Sequence, residues 1–215
     1  MSSAQEKILD LVSQGKISGP EADELLAALK GGRESGWRKW QRWLNPLEGM
    51  GTWTALTISL AGSGIGVAIA HFRVVFDGAL DVHIAAAAVS PPRALAAIAF
   101  SWLGLSGVLF AAGALAGRPG RFIDHLNGQG LARLPLVMVG LVLGPWLDRP
   151  GAISGWLTVA LSLTVGLPCA VGSIFLAFQG FKTASGLKGS RLAWSFVVGA
   201  ITAEAATKLL LHFIA

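Results

Sequence analysis

Charge is scarce in this chain: of 215 residues only 13% are Asp, Glu, Lys or Arg, against 53% hydrophobic. A water-soluble domain of that size would have too few polar groups to cover its surface, which excludes an ordinary soluble enzyme or binding module. Cysteine is nearly absent too. The single Cys169 lies inside an apolar run, so an intrachain disulfide and a cysteine-based metal site are both ruled out. Tyrosine is missing altogether. No apolar signal-type segment opens the chain; the first apolar run begins near Gly49 after a long polar stretch, so its helix is expected to stay in the membrane.

What the chain has in quantity is apolar length. Crossing a ~30 Å hydrocarbon layer takes about 20 helical residues. Stretches 50–70, 94–116, 131–147, 153–180 and 191–215 meet or approach that length. They are continuous or rich in small residues, not alternating, which favours helices over a lipid-facing barrel. The expected fold is therefore all-α: an integral membrane bundle of five transmembrane helices (49–215) preceded by a small cytoplasmic helical hairpin (1–32) and a Trp-rich, basic interfacial segment (33–48).

Charge placement orients the bundle. Lys7, Lys16, Lys30, Arg33, Arg38, Lys39, Arg42, Arg118, Arg121, Arg133, Lys182, Lys188 and Arg191 fall on one side, and Arg73, Arg93, Arg149 and Lys208 on the other. The positive-inside bias then places the amino terminus in the cytoplasm and the carboxyl terminus outside. The third crossing, "LARLPLVMVGLVLGPWL", is short and carries Arg133 and Pro135 near its start. It is kept because its loss would put the Lys182–Arg191 cluster outside. Arg133 is expected to snorkel to the cytoplasmic headgroups.

In the head, Ile8, Leu9, Leu11 and Val12 form a first amphipathic stripe, Gly15 a stop, and Ser18 with Glu21 a capping box opening a second helix with Leu25, Leu26 and Leu29, ended by Gly31 and Gly32. A hairpin under about 30 residues buries too little surface to stand alone, so it needs a partner. Its pattern Gly15, Ile17, Ser18, Glu21, Ala22, Leu25, Leu26 resembles SHOCT-like hairpins, which implies an oligomerisation or docking element in residues 1–32. Beyond it, Trp37, Trp40 and Trp43 share one helical face with Arg38, Lys39 and Arg42 around them. The segment either lies flat on the cytoplasmic leaflet against anionic headgroups or forms the aromatic belt of the first span. Beside a membrane entry point, lipid takes precedence over nucleic acid as its partner.

Within the spans, Gly62 and Gly66, and Gly113 and Gly117, have the four-residue spacing that lets helices approach closely. Glu204 lies near the middle of the last run with Lys208 one turn later. An internal ion pair is the leading reading, a proton or ion path the alternative. In the loop 71–93, Asp77, Asp81 and His83 form too small a set to argue for a metal, and no cofactor is expected. The Gly-x-Ser-Gly around Ser106 raises a rhomboid-like protease. Its nearest downstream histidine, His125, is expected in the polar connection "RFIDHLNGQG", away from Ser106 at mid-helix, so Ser106 is read as a packing residue.

The stretch "ALAGRPGRFIDHLNGQGLARLPLVMVGLVLG", through Gly117, Gly120, Phe122, Leu126, Gly130, Leu131, Ala132 and Pro135, resembles Yip-family membrane proteins. So does "FLAFQGFKTASGLKGSRLAWSFVVG", where a helix ends in Gly-Phe-Lys and re-enters after Arg191. The resemblance covers roughly residues 45–215. It implies five crossings with a cytoplasmic amino terminus, supplies no catalytic residue, and in eukaryotic members goes with binding of prenylated Rab-type GTPases. Richness in alanine, glycine and arginine, the missing tyrosine and the SHOCT-like head point to a bacterial inner membrane. The expected function is a noncatalytic scaffold that recruits partners through its hairpin. The runner-up is a small transporter or lipid-handling protein using Glu204 and Lys208, and the third a rhomboid-like protease.

Overall fold

The computed structural model describes residues 4–14, 16–18, 21–22, 25–26, 50–76, 78, 80–85, 87–118, 120–147 and 155–214. The chain divides into two compact units, residues 1–43 and 44–215. The interfacial residues Trp37, Arg38, Lys39, Trp40, Arg42 and Trp43 lie outside the described residues, as do Gly15, Leu29, Gly31, Gly32 and Asp77.

In the first unit, helix α1 spans Ala4–Ser13. Residues 21–22 and 25–26 are helical. The turn before them is organised by Glu21, whose Oε2 accepts both the Ser18 N–H (2.8 Å) and the Ser18 hydroxyl (2.8 Å), while the Ala22 N–H donates to the Ser18 carbonyl (2.9 Å). A carboxylate reaching back to the N-cap amide is half of a capping box. These hydrogen bonds, the backbone one foremost, hold the Glu21 carboxyl below the ordinary carboxylate range.

The second unit is helical throughout its long segments. Helix α2 (Thr52–Ile69) runs through a 3-10 turn (Ala70–Phe72) into a two-stranded antiparallel hairpin, β1 (Val74–Phe76) and β2 (Val82–Ile84), with Val75 opposite His83. Helix α3 covers Pro91–Leu115, opening on two prolines whose fixed φ and missing N–H suit a first turn. Then come α4 (Phe122–Ala132), α5 (Leu134–Leu147), α6 (Gly155–Leu161), a π-helical turn (Ser162–Gly166), α7 (Leu167–Ser185) and α8 (Gly189–Ile214). The π turn lies just ahead of Pro168, where Thr164 Oγ1 donates to the Ala160 carbonyl at 2.7 Å. A proline cannot donate to the preceding turn, and a widened turn accommodates the lost bond.

Five helical segments among the described residues are long and apolar enough to cross a membrane: Thr52–Phe72, Pro91–Leu115, Phe122–Pro145, Gly155–Ser185 and Gly189–Phe213. Leu60, Leu95, Leu103, Met138, Val142, Val171, Val198 and Ile201 are among many large apolar side chains left exposed on their flanks. In water such a surface would aggregate; against acyl chains it is matched. The chain has the build of an integral membrane protein.

The third span departs from expectation. It begins at Phe122, not near residue 131, so "FIDHLNGQG" is a helix whose His125 and Asn127 to Gly130 are buried, and not a polar surface connection. In the apolar 18-residue stretch of this span 56% of residues are buried by protein, against 6% in that of the fourth. Pro135 explains the break between α4 and α5. Its ring and missing N–H disturb the turn before it, and Arg133 occupies that turn, with its N–H on the Gly130 carbonyl at 3.3 Å.

Two core clusters hold the unit. One gathers Leu105 and Leu109 of α3, Ala132 of α4, Ala177 and Phe181 of α7 and Phe196 of α8; the other gathers Ile69, Val74, Phe76, Ile98, Leu136 and Val137. The buried strand β1 thus belongs to the core.

Candidate functional site

Helix α4 is the polar centre of the apolar bundle. His125, Asn127, Gly128, Gln129, Gly130, Leu131 and Ala132 are all buried, and its contacts run chiefly to α7, α2 and α3. The chain enters it at Gly120 (φ 63°), where a Cβ would strike the Ala184 carbonyl, so only glycine fits both the backbone angle and the space. Each neighbour is tied by a hydrogen bond. Asn127 Nδ2 donates to the Thr52 carbonyl (3.0 Å), Gln129 Nε2 to the Ala177 carbonyl (3.2 Å), and Trp102 Nε1 to the Leu126 carbonyl (2.8 Å). His125 lies between the rings of Phe110 (5.7 Å) and Phe181 (5.7 Å). Small residues provide the rest of the fit. A Cβ on Gly180 would come within 2.9 Å of the Gly128 Cα, and one on Gly130 would collide with Ser59.

Arg133 does not snorkel. It is 4% exposed, donates from Nη2 to Ser101 Oγ (2.6 Å) and from Nη1 to the Ile98 carbonyl (3.2 Å), and stacks over the Phe76 ring at 5.4 Å. With the span beginning at Phe122, Arg133 falls about halfway along it. A guanidinium so placed costs several kcal/mol unless hydrogen-bonded and paired with acceptors. A cavity of about 10 Å³ adjoins it, lined by Gly62, Phe76, Gly130 and Leu134, room for about one water molecule.

Glu204 and Lys208 meet as their spacing predicts, at 3.2 Å, but within a larger set. Lys208 Nζ also contacts Asp81 at 2.7 Å, and the Glu204 carboxylate accepts the Leu80 N–H at 3.2 Å. The loop closes this tightly because a Cβ at Gly78 would fall on the Glu204 carboxylate. The pair is part-exposed, with side chains 30% (Glu204) and 47% (Lys208) accessible. It clamps the hairpin loop onto α8. Asp81, one member of the triad considered for a metal, is therefore engaged with Lys208.

The remaining residues singled out in the sequence are placed as follows. A Cβ on Gly62 would come within 2.6 Å of Leu134, one on Gly66 within 2.9 Å of Ile98 and one on Gly113 within 2.9 Å of the Arg118 carbonyl, each too close without a shift, whereas Ser185 is in ordinary contact with Gly113. Gly117 is different. It has φ 84° with open space around it, so it turns the chain after α3 and packs against nothing. Ser106 is fully buried and donates to the Trp102 carbonyl one turn back at 2.8 Å. His125 is not in a surface loop. It is buried in the bundle beside Phe110, one turn along α3 from Ser106, with its ring enclosed by aromatics.

Sequence reasoning missed Asn127, Gln129, Trp102 and Ser101 as the polar connectors. The usable signal was the run Gly128, Gly130, Ala132 leading without interruption into the short apolar stretch. Comparison of the chain with protein-family models, with characterised proteins and with solved structures returns no match.

Proposed function

We propose that this chain is a noncatalytic integral membrane protein of the Yip type, a scaffold that recruits or assembles partners through the SHOCT-like segment 1–32 at the cytoplasmic face of a bacterial inner membrane. The observation that carries the reading is the use made of the polar residues in the spans. Arg133, Asn127, Gln129 and Trp102 each hydrogen-bond a backbone carbonyl of another helix, Ser106 bonds a carbonyl of its own, and Glu204 and Lys208 clamp a loop. Groups committed to helix-to-helix bonds act as structural glue. Charge distribution supports the orientation. Arg118, Arg121, Lys182, Lys188 and Arg191 cluster at one end of the bundle with Asp124 as the sole carboxylate there among the described residues, whereas Arg73, Arg93 and Lys208 share the other end with Asp81 and Glu204. Deleting residues 1–32 should abolish partner capture or change oligomeric state while leaving membrane insertion intact. An unaltered interaction profile and oligomeric state refutes the scaffold reading.

A second reading, a small transporter, draws on Asn127 Oδ1, Gln129 Oε1 and Ser173 Oγ, buried acceptors and hydroxyl with no protein hydrogen-bond partner among the described residues. Such groups call for an explanation, and a transported polar species is one. Proton-dependent flux in proteoliposomes that disappears in Glu204→Gln would favour it over the scaffold.

A further inference from the structure

At the basic end of the bundle, an open groove of about 550 Å³ lies where the end of α3 meets the start of α8. Its walls include Leu115, Gly117, Ser190, Arg191, Trp194 and Ser195. We propose that this groove holds the headgroup phosphate of an anionic phospholipid, with the acyl chains lying along α8.

The chemistry is that of a phosphate seat. Arg191 is exposed, and among the described residues it has no ion-pair partner. Its planar guanidinium offers two parallel N–H donors to phosphate oxygens. The hydroxyls of Ser190 and Ser195 add donors on the same wall, and Gly117, open on its side-chain face, leaves room for the headgroup. Arg118 stands close by, since its Nη1 is 3.9 Å from where a Cβ on Gly186 would be, so the groove lies inside the positive field of the α7–α8 link.

The groove is also at the boundary between polar and apolar surface. Leu115 is 91% and Trp194 68% exposed, and an indole so displayed suits the headgroup zone. From Trp194 an exposed apolar strip continues down α8 through Val197, Val198 and Ile201, at the spacing of one helical face. A free phosphate ion would use Arg191 and the serines alone. A phospholipid uses these together with the strip below, and that continuity decides for the lipid. The binding would fix the bundle's basic end to the anionic leaflet, independently of which partner the first unit recruits.

The test uses the full chain purified in mild detergent, with native mass spectrometry counting added dioleoylphosphatidylglycerol or dioleoylphosphatidylcholine. Wild type should retain phosphatidylglycerol preferentially, Arg191→Gln should weaken that retention about tenfold, and Arg93→Gln, at the opposite end, should leave it unaltered. A diazirine-bearing phosphatidylglycerol, photolysed on wild-type protein, should label peptides covering 103–117 and 190–201, which requires no variant to fold. Equal retention of the two lipids, an unchanged preference in Arg191→Gln, displacement by millimolar inorganic phosphate alone, or labelling confined to other helices each overturns the proposal.

Discussion

Replacing Gly180 by alanine probes the contact on which the buried placement of α4 depends. The new Cβ would lie 2.9 Å from the Gly128 Cα, 3.1 Å from its carbonyl carbon and 3.3 Å from its oxygen. All three are backbone atoms, so no side chain can rotate away. Carbon pairs rest at about 3.5–4.0 Å, so α4 and α7 must part by several tenths of an ångström or more. That movement also stretches the Gln129 Nε2 bond to the Ala177 carbonyl, already 3.2 Å, one turn from the contact. Overpacking of this kind costs about 1–3 kcal/mol, against a gain of up to about 1 kcal/mol from replacing a helical glycine. Gly172→Ala makes the same chemical change in the same helix, with open space around the new methyl. The propensity gain is common to both, so the difference between the two variants isolates the packing cost, about 1–3 kcal/mol. Equilibrium unfolding in mixed micelles titrated with SDS measures it. If the two variants are equally stable, α4 and α7 are not in backbone contact, and the reading of "FIDHLNGQG" as a buried helix fails with that contact.

Ser106→Ala should alter stability by no more than about 1 kcal/mol, because its hydroxyl bonds only its own helix, and a fluorophosphonate probe should label neither wild type nor variant; labelling of wild type that is lost in Ser106→Ala would restore the protease. A double-mutant cycle between Glu204→Gln and Lys208→Met should be close to additive in SDS unfolding midpoint, since both side chains are part-exposed, and strong non-additivity would mean that the pair is shut away from solvent. Because Ser18 holds the Glu21 carboxyl below its ordinary range, the protection it gives the Ser18 amide should be complete above the ordinary carboxylate value and vanish as pH falls through the lowered one. Amide exchange on the full chain in detergent from pH 6 to pH 3 reads this directly, and a Ser18 amide whose protection in wild type and Glu21→Gln follows the same pH course contradicts it.

Hydropathy located the lipid-facing helices and misplaced the one that faces mostly protein. The runs near 50–70, 94–116 and 191–215 stand out because their outer faces must be apolar to meet acyl chains, and the observed helices Thr52–Ile69, Pro91–Leu115 and Gly189–Ile214 follow them within a few residues. Helix α4 is enclosed by α2, α3 and α7, so its residues answer to a different demand: small enough for backbones to touch, as at Gly128, and able to bond neighbouring carbonyls, as at Asn127 and Gln129. Both demands lower mean hydropathy, which is why nine residues of a membrane helix, Phe122 to Gly130, read as a cytoplasmic loop. The misplacement of Arg133 follows from the same step. With the third span started at residue 131 the arginine borders the headgroups, and with the start at Phe122 it lies mid-span and must find Ser101 and the Ile98 carbonyl instead. The Glu204–Lys208 pair was legible because one helical turn separates its members. Asp81 and Leu80 were not, since they reach the pair only through folding of a hairpin more than a hundred residues away in sequence. Local periodicity carries i to i+4 chemistry, whereas a polar group bonded across helices becomes visible only when the neighbour that satisfies it is known. Acyl chains offer a polar side chain no hydrogen-bond partner, so a short apolar run with a polar, glycine-rich approach is better read as one long helix with its polar half turned inward.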